Sequence, residues 1–356
     1  MKKLLYPAVF AAMLLTSACS DEPKIDEPAI DPSETTALFV VNSGNYGYGN
    51  ASLSVINPLG NSYVNNFFYD ANQMLLGDVA QSMSIGGGKG WIVVNGSNVI
   101  FAIDPATGRE LGRIDSGITS PRNFYYIDAT TAYVTQLYDN RIAIIDPSQY
   151  KVTGYIEIPG MDASTGSTEE MVFDGQYAYV NCWSYQRTVV KINLATNKVI
   201  DSVDVGVQPR SLVMDANHIL WALTDGGGWD GNPIGYEAPA LVKINPSDME
   251  IVGSLNMKLG DSASALITAD GGHTLYWLNN GVYRMDIDAT ELPLAPYIST
   301  TTYLNALTVS PVDGDIYVAD AIDYVQAGIV RSYHEGELTH SYTVGIIPTG
   351  FCWLVE

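Results

Sequence analysis

Apolar residues recur along this chain in short runs of four to six, each cut off within a few positions by Gly, Asp, Asn or Pro. The plainest instance is Ala132–Ile158, AYVTQLYDNRIAIIDPSQYKVTGYIEI. Ala132–Thr135, Arg141–Ile145 and Lys151–Ile158 read as three strands rich in β-branched and aromatic side chains. Asp139-Asn140 supplies the turn between the first two. Asp146-Pro147 ends the second, because proline fixes φ and has no N–H to offer a continuing ladder. Apart from the apolar run Leu4–Leu15, no stretch carries a helical period of 3.6, so the pattern predicts an all-β chain.

The unit recurs with a period of about 40–55 residues, the range of propellers and solenoids. Leu38–Asn42, Trp91–Asn95, Ala132–Thr135, Ala178–Asn181, Leu220–Thr224, Leu275–Asn279 and Ile316–Asp320 are seven copies of one strand. A following strand ends in Ile-Asp/Asn-Pro/Leu, as at Ile56–Pro58, Ile103–Pro105, Ile145–Pro147, Ile192–Leu194 and Ile244–Pro246. Around Ala132–Thr135 and Ala178–Asn181 these repeats resemble the YVTN/YncE-like β-propeller family, from Leu38 to Glu356. The resemblance implies a seven-bladed β-propeller of four-stranded antiparallel blades. The innermost strands then fall at Gln81–Ile85, Pro121–Ile127, Glu170–Phe173, Pro209–Met214, Ala263–Thr268, Leu304–Val309 and Thr349–Leu354. The first repeat has no strand before it and Thr349–Leu354 has none after it, so the C-terminal strand is expected to join the N-terminal blade and close the ring.

The N-terminus departs from this pattern. Lys2-Lys3 followed by Leu4–Leu15 reads as a signal peptide over residues 1–18, too short for a comfortable membrane span. Thr16-Ser17-Ala18-Cys19 resembles a bacterial lipobox, with Thr16 where leucine is usual, which implies lipidation at Cys19. The following Ser20-Asp21-Glu22 resembles the surface-export signal of Bacteroidota lipoproteins, implying a lipid-anchored protein on the outer face of the outer membrane. Residues 19–36 are rich in Pro, Asp and Glu and are expected to form a disordered tether, leaving 37–356 as the propeller.

Seventeen Lys and Arg against 39 Asp and Glu give a formal net charge of -22. So acidic a surface repels phosphate backbones, which argues against nucleic acid as a partner. Three cysteines do not make a disulfide scaffold. Cys182 and Cys352 fall in strands of different blades and are expected to pack as small apolar residues.

Function is expected where the repeat is broken. The short connection Leu137–Asn140 is the baseline; Ser43–Asn50, Asp225–Tyr236 and Ile322–Gln326 lengthen it in blades one, five and seven. Loops entering the innermost strands are enlarged at Asp70–Ala80 and Gly160–Glu169. All map to one end of the ring, where Tyr46, Tyr48, Tyr138, Trp183, Tyr185, Trp229, Tyr236 and Tyr324 stand among Asn, Gln, Ser and Gly. Rigid amphipathic rings with small polar neighbours make a binding surface. Arg122 and Arg210, each after a proline at the start of an innermost strand, point to the channel mouth, where they are expected either to pair with backbone carbonyls or a neighbouring blade or to hold an anionic or carbonyl-rich ligand. Asn95 and Asn279 complete the expected ligand-binding set.

Catalytic spacing is sparse. The histidines lie beside turns, H-x-x-x-H, C-x-x-C and EF-hand patterns do not occur, and the glycine runs do not join a strand to a helix. Glu169-Glu170 at the mouth is the one acid–base or cation candidate, so the chain is expected not to be an enzyme and to use no catalytic cofactor or metal. Cys19 with Ser20-Asp21-Glu22, the seven blades and the aromatic loops together resemble the vitamin B12-binding (BtuG-type) surface lipoproteins of Bacteroidota. That resemblance implies capture of cobalamin or related corrinoids and handover to an outer-membrane TonB-dependent transporter. The alternatives are a lactonase- or lyase-like propeller enzyme and a lipoprotein that docks glycan or protein.

Overall fold

The computed structural model describes residues 36–355. The expected leader, the lipidation site Cys19 and the tether up to residue 35 lie outside the described residues.

The strands whose sequences run unbroken apolar are those sandwiched between two neighbouring blades. Ala37–Asn42 is buried at every position. Its Leu38 and Val40 pack on Tyr317, Val330 and Tyr342 to one side. Phe39 and Val41 pack on Ile92, Val94 and Phe101 to the other. Burial on both faces removes the need for polar alternation. The outermost strand Lys151–Glu157 reaches solvent and reads KVTGYIE, with exposed and part-buried positions alternating over most of its length. Seven such apolar clusters separate the blades, and no single central core exists among the described residues.

The result is seven four-stranded antiparallel sheets. Six are built from consecutive strands; the seventh is Pro348–Leu354, Ala37–Asn42, Ser52–Asn57 and Ser62–Val64. Leu354 lies opposite Ala37 and Pro348 opposite Asn42, so the last strand closes the ring on the first blade, as the repeat count requires.

Two local features differ from expectation. Within the connection that leads to Ala80, Phe67–Asn72 forms a short helix that buries Phe68 against Phe101, their ring centroids 4.9 Å apart. Under two turns long, it has no room to display a helical stripe in sequence. Blade six has an outermost strand of only two residues, Ile298–Ser299, reached through the irregular segment 287–297.

Candidate functional site

Each innermost strand carries a β-bulge near its first residue. The register skips between Ala80 and Ser82, Pro121 and Phe124, Thr168 and Met171, Pro209 and Ser211, Ser264 and Ile267, and Leu304 and Ala306. On the closing strand it skips around Thr349. A bulge leaves a residue unpaired and re-aims its side chain. Here the re-aimed residues include Gln81, Arg122, Glu169, Glu170, Arg210, Asn305 and Thr349, which line a cavity of about 270 Å³ at the mouth of the central channel. Every blade contributes to it.

The mouth is polar and electrically uneven. Arg122 Nε donates to Glu169 at 2.8 Å and its Nη1 to Gln81 Oε1 at 2.7 Å, so this guanidinium is held. The Glu169 carboxylate also accepts from Ser167 Oγ. Arg210 makes no ion pair among the described residues and is exposed. The Trp183 ring lies between the two cations, 5.9 Å from the Arg122 guanidinium carbon and 5.7 Å from that of Arg210. Its indole N–H donates to Asp225 at 2.8 Å. Glu170 follows Glu169 on the same strand and is half-buried. Desolvation pushes its carboxyl up to about 8; the Leu212 N–H opposes this, neighbouring Glu169 adds to it, and Arg210 opposes it. Arg122 and Arg210 thus face the adjacent Glu169 and Glu170 across the mouth, in a chain of formal charge -22.

Antiparallel alternation puts the loops after each second strand at this same end. The blade-five loop is braced internally: Asn232 Nδ2 donates to Gln208 Oε1 at 2.9 Å and to Gly227 O at 3.0 Å, and Gly227 N–H donates to Asp225 at 2.8 Å. Gly226 has φ 72° and a Cβ there would sit 2.0 Å from Glu237 O, so only glycine closes this loop. Blade one's loop is tied to its neighbours, with Gly47 N–H on Asp78 at 3.0 Å and Asn45 Nδ2 on Tyr324 O at 2.6 Å.

These frames hold aromatic side chains out in water. Tyr46 is 84% exposed, Tyr48 77%, Tyr138 54% and Trp229 54%, with Tyr185 and Tyr324 also exposed. Trp183 and Tyr236 are half-buried beneath them. Tyr138, Tyr185 and Tyr324 have φ of 59°, 52° and 64°, the left-handed region that suits glycine or asparagine. Three bulky rings in that conformation mark the loops as strained where the rings are displayed.

Asn95 and Asn279 serve the scaffold. Asn95 Nδ2 donates to Pro121 O of the next blade at 3.1 Å, and Asn279 Oδ1 accepts from Ser262 N–H at 3.2 Å. Asn181 Nδ2 does the same to Pro209 O at 2.7 Å, so an amide ending the second strand is a recurrent clip between blades. Sequence reasoning missed Leu75, Leu259, Tyr303 and Val325, which stand exposed at the same end. Each is a large apolar residue with no periodic partner in its loop, and that isolation was the available signal. It also missed Gln81, Asn305 and Thr349, which only an alignment of the seven bulges brings together. Cys182 and Cys352 are unpaired, and desolvation pushes each thiol up to about 12, which suits packing rather than reactivity.

Solved structures with the same architecture carry diverse activities. A provisional 6-phosphogluconolactonase from Bacteroides fragilis NCTC 9343 is 13% identical, with 91% of this chain and 99% of that one covered at a TM-score of 0.68. A quinonprotein alcohol dehydrogenase-like protein from Bacteroides thetaiotaomicron VPI-5482 is 12% identical, covering 89% and 77% at 0.65. A streptogramin B lyase is 11% identical, covering 77% and 86% at 0.61. Identities this low establish the propeller fold alone. A search among curated proteins finds no match. A family model described as "Domain of unknown function (DUF5074)" matches residues 36–340. With most of its length matched, the chain belongs to this DUF5074 family.

Proposed function

We propose that the loop face captures a large amphipathic ligand, that the ligand is cobalamin or a related corrinoid, and that the protein hands it to an outer-membrane TonB-dependent transporter. The observation that carries this reading is a set of exposed aromatic rings around a polar mouth that holds two arginines in a strongly acidic chain. Water-facing rings of this size cost solvation free energy unless something covers them, and several of them also sit in a strained backbone. A corrinoid has methyl-rich edges for the rings, carboxamides for loop amides and backbone, and a phosphodiester for Arg210. The resemblance of Cys19 and its flanking residues to surface-exported lipoproteins supports the location and the partner. Mixing the purified protein with cyanocobalamin at micromolar concentration tests it: a red complex is expected to survive gel filtration. Free elution of the colour refutes the ligand.

One observation favours a second reading. Glu170, its carboxyl pushed up by desolvation, stands in the channel with Arg210 and Glu169, a set suited to proton transfer at an anionic substrate. The lactonase and lyase among the structural neighbours fit such a role. Turnover of lactones that is abolished by Glu170→Gln would select it.

A further inference from the structure

Asp225 follows the second strand of blade five, Leu220–Thr224, and opens the loop that carries Trp229 and Tyr236. Its two carboxylate oxygens hold different parts of the loop face. Oδ2 accepts from the indole N–H of Trp183, on the loop of blade four, at 2.8 Å. Oδ1 accepts from Gly227 N–H at 2.8 Å. Gln208 Nε2, from the segment that enters blade five, reaches both oxygens at 3.1 and 3.2 Å. Three separate pieces of chain meet on one carboxylate.

Each bond continues outward. Trp183 lines the mouth with its ring near both guanidiniums, and Tyr185 stands exposed two residues further along the same loop. Gly227 O accepts from Trp229 N–H at 2.9 Å and from Asn232 Nδ2 at 3.0 Å. Asn232 and Gln208 are both buried and bonded to each other, which closes the network. Backbone bonds run alongside it, Gln208 N–H to Gln186 O at 2.9 Å and Asp225 N–H to Gln208 O at 3.0 Å. Three hydrogen bonds in series thus connect the mouth indole to the backbone of exposed Trp229: Trp183 to Asp225, Gly227 to Asp225, and Trp229 to Gly227. The chemistry at the centre is specific. A carboxylate accepts on both oxygens, whereas an amide in its place sets an NH2 against one of the donors.

We infer that Asp225 is a positioning residue of the loop face: it sets Trp183 at the mouth and the blade-five loop bearing Trp229 in one joint arrangement. A ligand that meets one of these rings then finds the other already in place, which lowers the ordering cost of binding. Asp225 acts through Trp183 and Trp229 and not by touching the ligand. The inference rests on the reading of this face as the binding surface, and holds for any large ligand that spans the mouth and the blade-five loop.

The test is amide hydrogen exchange of the folded, ligand-free protein as wild type, Trp183→Phe and Asp225→Asn. Trp183→Phe keeps an aromatic ring at the mouth and removes the indole N–H, and it carries the test alone when Asp225→Asn does not fold. The Gly227 and Trp229 amides are expected to exchange about tenfold faster in Asp225→Asn and about threefold faster in Trp183→Phe. Gly47 N–H of blade one, held by Asp78, is expected to keep its rate in both. Gly227 and Trp229 rates that do not change in Trp183→Phe overturn the inference, because the indole then has no hold on the loop. So does a general rise that includes Gly47. Cyanocobalamin calorimetry supplies a double-mutant cycle: Trp229→Ala is expected to weaken binding about fivefold in the wild type and less than about twofold in Asp225→Asn. Equal losses in the two backgrounds overturn the inference as well. A wild type that binds no cobalamin refutes the corrinoid reading alone, and the exchange rates then decide this one.

Discussion

Tyr138→Asn separates a tyrosine kept for binding from one kept for structure. Tyr138 is 54% exposed and has φ 59°. About half of a ring side chain worth roughly 200 Å² is covered, and asparagine retains about half of that coverage. The lost burial is then on the order of 50 Å², or about 1 kcal/mol at 25 cal/mol per Å². Against this, a left-handed backbone costs a bulky side chain about 1 kcal/mol and asparagine considerably less. The two effects nearly cancel, so the variant should keep its stability to within about 1 kcal/mol in urea unfolding. Cyanocobalamin affinity, measured by calorimetry, should fall at least about fivefold, or 1 kcal/mol. A loss of stability above about 2 kcal/mol refutes the strain argument and makes the ring a structural filler. Unchanged affinity removes Tyr138 from the site.

Removing residues 349–356 deletes the innermost strand of blade one and reopens the ring; we expect loss of the cooperative thermal transition, and a truncated chain that keeps its melting temperature contradicts closure. The two mouth arginines should behave oppositely. Arg122→Ala strands the buried Glu169 carboxylate and should cost about 2–4 kcal/mol in unfolding free energy, whereas Arg210→Ala should leave the melting temperature in place and weaken ligand binding. Glu170 binds its proton more tightly in the folded chain, so its contribution is present below the unfolded value near 4.5 and is lost as pH rises through about 8. Thermal melts from pH 5 to 9 should fall for the wild type and flatten for Glu170→Gln, whose amide oxygen still accepts from Leu212 N–H; an unchanged slope assigns the pH dependence elsewhere.

The ring was legible because each blade repeats one two-sided apolar strand, and a strand such as Ala37–Asn42, buried on both faces, can only lie between two others. The innermost strands were placed to within two residues by their fixed place before each of these strands. The helix Phe67–Asn72 was not legible, since six residues cannot display a period. The display of Tyr46, Tyr48 and Trp229 followed from loop length, because residues added to a fixed scaffold have no blade to pack against. The channel mouth was visible through the proline before each arginine and through the Glu169-Glu170 pair. Its other members arrive by bulges, and a bulge depends on how two strands pair, which a single strand's sequence does not encode. Asn95 and Asn279 show the converse: a polar residue at the right end of the ring was already engaged in the scaffold, Asn95 by joining two blades and Asn279 by holding the entry to its own blade.

The central claim is that the aromatic loops hold one large ligand over the mouth. Calorimetric titration of cyanocobalamin into the wild type and into a Trp229→Ala, Tyr46→Ala double variant, both rings being largely exposed and outside the blade cores, tests it directly. The account predicts saturable one-to-one binding to the wild type, weakened at least about tenfold (1.4 kcal/mol) in the variant at unchanged melting temperature. Absence of binding heat in the wild type, or equal affinity in both proteins, contradicts it.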